Sequence, residues 1–276
     1  MALFGNGYGT ALAQAFACYY LPAVVMHVVV PKWIEVRHLP PQGKRNTEAW
    51  RDAKRSLVPV AIKAAVWKTV EELHRNGVGK LHEERWSWIH AMLAWAALDL
   101  IHDTWFYWAH RLLHWRPLYK HVHYMHHESR TPNAFTGYSF HWIEALLVFL
   151  NEVTVIFLFP IHTELHRAYH MFTTLIHIGG HVGYEVAPYI PSLGQCVVSA
   201  LPGETPCKHL NTVLHHDMHH RYPSKHFSLY FTHWDQAMGT MHECYQEECR
   251  KLFEKPGTKP CPSQKIAPSA SRRVGG

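Results

Sequence analysis

The chain has 276 residues, 47% of them hydrophobic and 17% charged, and 26 are histidine. Its formal net charge of +6 is not gathered into a basic stripe interleaved with aromatics, which argues against nucleic acid and suits a membrane protein with basic cytosolic loops. A mean hydropathy of −0.19 excludes a bundle that is apolar throughout, so the apolar runs are read one by one.

Thr10 to Val30 is a 21-residue stretch without Asp, Glu, Lys or Arg, long enough to cross a hydrocarbon core of about 30 Å. Pro22 should kink it. Met1 to Gly9 carries no side-chain charge, so the basic leader of a signal peptide is missing and a membrane span is expected. The following loop holds Lys32, Arg37, Lys44, Arg45, Arg51, Lys54 and Arg55 against Glu35, Glu48 and Asp52, which marks it as cytosolic and puts the N-terminus on the far side. Leu57 to Val70 is apolar but short and contains Lys63 and Lys68; alone it reads as an interfacial helix as readily as a span. Ser87 to Trp108 is a clear apolar run, and the loop after it carries Arg111, Arg116, Lys120 and Arg130. Two cytosolic loops need two crossings between them, so 57–70 is expected to span, with Lys63 or Lys68 snorkelling.

Trp142 to Pro160 and Ile161 to His181 read as a hairpin that turns at the far face and returns His177 to His181 to the cytosolic side. Glu152 is a carboxylate in mid-span and needs a buried partner, for which His170 lies at the right depth. Tyr189 to Cys207 reads as a loop or lid. The tail 254–276 reads as disordered and without chemistry. The six cysteines, Cys18, Cys196, Cys207, Cys244, Cys249 and Cys261, form no disulfide framework and read as free thiols.

Three histidine groups stand out: His110-x-x-x-His114, His123-x-x-His126-His127 and His216-x-x-His219-His220. On a helix, residues at i, i+3 and i+4 share a face. Eight neutral imidazoles at these spacings exceed what one ion needs, so two metal ions sharing a site are expected.

The three boxes in this order, among apolar segments, resemble the fatty acid hydroxylase/sterol desaturase superfamily of membrane non-haem di-iron oxygenases. Asp103 followed by Trp108-Ala-His110-Arg111, Leu118-Tyr119-Lys120 before the second box, and Trp234-Asp235 with Gly239-Thr240 after the third are similar to the family as well. The resemblance covers roughly 86–253. It implies an all-α integral membrane protein with about four transmembrane helices, the segment 57–70 being the short one, and a cytosolic His-rich helical di-metal cap. The expected division is 1–85 as an N-terminal membrane region, 86–253 as the catalytic domain and 254–276 as the tail.

The resemblance further implies that the eight box histidines bind two ferrous ions, which reduce dioxygen and attack an unactivated C–H bond of a lipid to give an alcohol or an alkene. Zinc is an expected contaminant after overexpression, because affinity alone does not favour ferrous iron. Some members carry a histidine pair between the second and third boxes, which carries over to His177 and His181 and gives ten ligands. His166 and His170 have the same spacing but lie deeper. No catalytic residue beyond the ligands is implied. Second-layer residues that orient imidazoles and offset charge are expected among Asp103, His141, Asp217, His226 and Asp235. His226 stands where the family often has Asn, within Lys225-His226-Phe227-Ser228.

A sterol is the expected substrate, with a sphingoid or fatty acyl chain as the alternative. Electrons are expected from a cytosol-facing, cytochrome-b5-like donor and its reductase, and the setting from the family is an endoplasmic reticulum membrane in a eukaryotic cell. A His-rich metal transporter or buffer is the rival of another class. It would need ionisable residues through the bilayer midplane, where only Glu152, His166 and His170 answer.

Overall fold

The computed structural model describes residues 7–39, 49–185 and 211–253. Lys44, Arg45, Cys196, Cys207, Cys261, the loop 189–207 and the tail 254–276 lie outside the described residues.

Ten α-helices of four residues or more, counting Tyr8–Trp33 as one, and four two-residue strands occur among the described residues. Helix α1, Tyr8–Val24, is not ended by Pro22; it widens at Val25–Val29 and runs on to Trp33. Helices α2 (Ala49–Arg55) and α3 (Leu57–Arg75) follow with only the buried Ser56 between them. Helix α4, Trp88–Leu113, starts where the Ser87 hydroxyl accepts from the His90 amide, and it ends at the first histidine box. A wide turn over Tyr119–His123 leads into α5, Tyr124–His127. Helices α6 (Trp142–Thr154) and α7 (Thr163–Gly180) form the hairpin, and α8 (Val213–Arg221) carries the third box. The short helices α9 (His233–Ala237) and α10 (Tyr245–Phe253) complete the chain.

Strand β1 (Arg37–His38) pairs antiparallel with β4 (Tyr184–Glu185), and β2 (Leu81–His82) pairs in parallel with β3 (Ile161–His162). The second pairing ties the start of α7 to the loop after α3.

Among the described residues, one helix, Tyr8–Trp33, is long and apolar enough to cross a membrane. The other expected spans fall short for two physical reasons. Helix α6 has 13 residues, about 20 Å of rise. Helices α3, α4 and α7 fold polar groups inward, including Lys63, Glu71, His102, Asp103, His166, Arg167 and His170, and these lower their hydropathy while remaining buried.

The described residues of 1–85 share a core with later parts of the chain. Ala11, Ala15 and Tyr19 of α1 and Val60, Ala64 and Trp67 of α3 share one core with Phe135, Tyr138, Phe140 and Phe149. Tyr19 stacks on Tyr138 with ring centroids 4.7 Å apart and donates to the Phe135 carbonyl at 2.7 Å. Asp52, fully buried, accepts from the Ser129, Thr136 and Ser139 hydroxyls and the Asn133 amide. That carboxylate organises the loop after the second box, and no sequence motif pointed to it.

Glu152 does find partners. Lys63 Nζ sits 2.5 Å from Oε1, Trp67 Nε1 donates to Oε2 at 2.8 Å, and His170 Nδ1 lies 3.9 Å away. Lys63 therefore points into the core instead of snorkelling, because burying it against a carboxylate satisfies both charges. Lys68 pairs with Glu71 and Glu72. Cys18 is a free thiol, whereas Cys244 is disulfide-bonded, contrary to the expectation of free thiols throughout. Linear spacing alone does not reveal which thiols the fold brings together.

Candidate metal centre

The wide turn before α5 and the start of α8 at Thr212, whose hydroxyl accepts from the His215 amide at 3.1 Å, set the angles at which the second and third boxes meet. Two groups of imidazoles result. His110, His114, His123, His127 and His219 form one; His126, His181, His216 and His220 form the other. Within each group the ligand nitrogens lie within 4.8 Å of one another. In each box the histidines four apart share a group: His110 with His114, His123 with His127, His216 with His220. The remaining members, His126 and His219, cross to the other group. This exchange interlocks the two groups.

The spacing suits metal ions. In the group of five, Nε2 of His127 lies 3.3 Å from that of His114 and 3.1 Å from those of His123 and His219. In the group of four, Nε2 of His181 lies 2.8 Å from that of His216 and 3.4 Å from that of His126. Nitrogens bound about 2.1 Å from one ion are separated by roughly 3.0 Å at right angles and 3.4 Å at tetrahedral angles. His110 donates Nδ1–H to the Phe227 carbonyl at 3.0 Å and His219 donates to the Lys225 carbonyl at 2.6 Å. Those donations leave Nε2 lone pairs converging on one point, an arrangement that a cation relieves.

Burial pushes His123, His126, His127, His216, His219 and His220 well below the usual imidazole range, and the neighbouring histidines add to the shift. The rings are thus neutral at physiological pH, the form that binds metal.

His177 stands outside both groups. Its Nδ1 donates to the Thr173 carbonyl at 2.9 Å, as a residue in regular helix does, and its Nε2 has no partner. His181 caps the C-terminus of α7, and its Nε2 lies with those of His126 and His216. His166 and His170 also lie outside both groups; His166 Nε2 faces the Glu152 carbonyl at 2.8 Å.

The outer residues act differently from expectation. Asp103 touches no box imidazole; its Oδ1 accepts from the amides of Leu229, Tyr230 and Phe231 at 3.1, 2.6 and 3.3 Å. It holds the loop whose Phe227 carbonyl orients His110. Asp235 holds the same loop through the amides of Phe227 and Ser228 at 2.9 and 3.0 Å, and faces His215 at 3.2 Å. Burial alone would raise the Asp235 carboxyl, but His215, Thr240 and the Phe227 amide hold it below the carboxylate range.

His226 adopts φ 62°, the left-handed conformation that Asn tolerates best after Gly, and accepts from the His242 amide at 3.2 Å. It belongs to neither group, so the Asn-to-His change alters a turn and not a ligand. Asp217 pairs with Arg221 one turn along α8. His141 caps α6, accepting from the Ile143 amide at 3.3 Å, and is half-exposed away from both groups.

Glu144 was not foreseen. Its Oε1 accepts from His123 Nδ1 at 2.8 Å, and the carboxylate is 4% exposed. A charged residue in the first turn of an otherwise apolar helix was the available signal. Gly137 presses against α7 so closely that a Cβ there would lie 2.6 Å from the His177 carbonyl oxygen, which only glycine permits. Phe106, Leu113, Phe140 and Val148 wall a cavity that opens onto His110, His126 and His216.

The family model for fatty acid hydroxylase matches residues 95–240. Methylsterol monooxygenase 1 of Rattus norvegicus is 30% identical over 170 residues, 61% of this chain and 54% of that protein. Lathosterol oxidase of Mus musculus is 25% identical over 235 residues, 82% of this chain and 71% of the relative. Cholesterol 25-hydroxylase-like protein of Danio rerio is 26% identical over 241 residues, 82% of this chain and 87% of the relative. The chain thus spans about half the length of the first of these relatives. No solved structure matches it. The family match takes in more than half of the residues and every histidine of both groups, so the chain belongs to the fatty acid hydroxylase family.

Proposed function

We propose that the protein is a membrane-bound di-iron oxygenase that hydroxylates or desaturates a sterol or related lipid with dioxygen. The observation that carries this reading is the pair of interlocked imidazole groups beside a cavity that Phe106, Leu113, Phe140 and Val148 help to wall. The named activities of the similar proteins, methylsterol monooxygenase, lathosterol oxidase and cholesterol 25-hydroxylase-like, agree with a sterol substrate.

The residues that would hold the ions are His110, His114, His123, His127 and His219 at one position and His126, His181, His216 and His220 at the other. When bound, the two irons supply the reduction of dioxygen and the attack on a C–H bond. The chain does the rest. Glu144 and the carbonyls of Phe227 and Lys225 fix ring orientation and tautomer from behind. Asp103 and Asp235 immobilise the 227–231 loop that supplies one of those carbonyls. Phe106, Leu113, Phe140 and Val148 exclude water where the reacting carbon is held.

The catalytic part comprises 86–253, with 1–85 packed against it. The N-terminus faces away from the cytosol and the metal centre faces the cytosol, in the endoplasmic reticulum of a eukaryotic cell. Large apolar side chains point outward on α1 (Leu21, 66% exposed), α4 (Leu93, 68%) and α6 (Trp142, 51%), which supports lipid contact by more than the single long span. A cytochrome-b5-like protein delivers the electrons to that face.

The test is expression in a host of defined sterols and sphingolipids, followed by lipid profiling and metal analysis. New sterol alcohol or alkene, with two irons per chain, is the expected result; zinc in their place marks overexpression. Hydroxylated acyl chains with unchanged sterols would replace the sterol assignment. No new lipid oxidation product would overturn the oxygenase reading.

A further inference from the structure

Two cavities share His177, His181 and His216 as walls and are otherwise lined differently. The first, described above, sets Phe106, Leu113, Phe140 and Val148 beside Glu144 and box histidines. The second adds Asn211, Thr212, His215 and Ser228 to Ile176 and Leu229. Asn211 and Ser228 are held rigidly through their backbones: the Asn211 amide donates to the Tyr230 carbonyl at 2.9 Å, and the Ser228 amide to Asp235 Oδ2 at 3.0 Å. Their side chains have no hydrogen-bond partner among the described residues. Nδ2 and Oδ1 of Asn211, Oγ of Ser228 and Nε2 of His177 are all buried without a hydrogen-bond partner, in residues that are 6, 1 and 3% exposed.

Buried polar atoms are normally satisfied, and each orphan asks for an explanation. Here four lie around one cavity and complement one another. Asn211 Nδ2 donates, Asn211 Oδ1 and His177 Nε2 accept, and the Ser228 hydroxyl does both. That set offers the two to four polar partners a buried water requires. Thr212 adds nothing to it, since its hydroxyl already accepts from the His215 amide and meets Tyr245.

We propose that this second cavity is a water site in which Asn211 and Ser228 hold ordered water against the His181–His216 side of the group of four, and that this water brings protons to the reaction and carries product water away. The proposal rests on the oxygenase reading. Hydroxylation converts R–H, dioxygen, two electrons and two protons into R–OH and water. One oxygen atom enters the new C–O bond, and the other leaves with the two protons. The electrons arrive singly from a one-electron donor protein. The protons must reach a centre whose histidines are buried. Asn211 and Ser228 do not titrate; water held by them moves a proton by exchanging hydrogen bonds, with His177 Nε2 as a fixed acceptor.

The experiment compares the full-length wild type with Asn211→Leu, Ser228→Ala and Ser228→Thr. Bound metal, kcat and KM, and the slowing of turnover in deuterated water are measured for each. An experimental structure of the metal-free protein is examined for ordered water. The expected result is water within hydrogen-bonding distance of Asn211 and Ser228, and metal content equal to the wild type in every variant. Turnover should fall about tenfold in Asn211→Leu and Ser228→Ala at unchanged KM, with a larger slowing in deuterated water. Ser228→Thr keeps the hydroxyl and should keep the rate. If Asn211→Leu does not fold, the Ser228 pair decides. Wild-type kcat and isotope effect in Ser228→Ala, loss of metal from it, or a dry cavity in the metal-free structure would each overturn the water site. A wild type that oxidises no lipid would instead refute the oxygenase reading, and the water in the metal-free structure would still decide this one.

Discussion

Glu144→Ala is the substitution that best tests whether the imidazole groups hold metal in the way proposed. His123 sits in the group of five with its Nδ1 2.8 Å from Glu144 Oε1. His123 and Glu144 are 1% and 4% exposed, so water cannot replace the lost acceptor. Removing a carboxylate behind a ligating histidine typically lowers metal affinity about 10–100-fold, or about 1.4–2.7 kcal/mol. Burial puts Glu144→Ala toward the upper end. Glu144→Gln keeps an acceptor for Nδ1–H but loses the negative charge, so it should fall toward the lower end. The assay is a chelator titration of purified protein with bound metal counted at each step. Glu144→Ala should release one ion at roughly 100-fold less chelator than the wild type needs, with the second ion affected less. Retention of both ions at wild-type chelator concentrations would refute the coupling of Glu144 to the centre.

His181→Ala should lose the ion of the group of four while His177→Ala keeps both, because only His181 places a nitrogen among the other three; metal content after purification checks it. Lys63→Ala leaves Glu152 buried without its 2.5 Å partner and should cost about 3–5 kcal/mol by thermal denaturation in detergent, whereas Lys63→Met with Glu152→Leu should recover most of the loss. A double variant as unstable as the single one would show that the pair itself stabilises the fold. The metal-free protein should lose stability as pH falls from 7 to 5. The six buried rings held below the imidazole range bind fewer protons folded than unfolded, so each costs about 1.4 kcal/mol per pH unit below the unfolded value of about 6.5. A melting temperature independent of pH over that interval would contradict their burial in the neutral state.

The sequence made the box histidines legible because their chemistry is rare and their spacing is helical. It even carried the grouping rule, since each pair four residues apart within a box shares a group. The rule fails for His177 and His181 because α7 ends between them, and a helix end is written in local backbone geometry that two adjacent glycines only hint at. Glu144 and Asp52 stayed hidden because one carboxylate looks like another until its partners, 21 and 77 residues away, are in place. Asp103 was legible as a residue of consequence, but its means was not: it acts through three backbone amides more than 120 positions downstream. The membrane reading met the same obstacle. Hydropathy averages a buried Lys63–Glu152 pair as if both were facing lipid, so a helix with an apolar outer face and a polar inner one scores as neither.

The exchange of His126 and His219 between the two groups also bears on how the protein comes into being. No group can be completed by neighbouring stretches of chain: the group of five needs residues from 110 to 219 and the group of four from 126 to 220. Each ion therefore closes a loop of roughly a hundred residues, and the freedom lost on closing so long a loop is large and is lost only once. During synthesis neither group is complete until the third box is made, although four of the five rings of the larger group come from 110–127. In cells short of iron, newly made protein would accumulate as an assembled but unlocked form, whose lifetime is set by quality control and not by catalysis. Iron supply would then govern the amount of this protein as well as its activity.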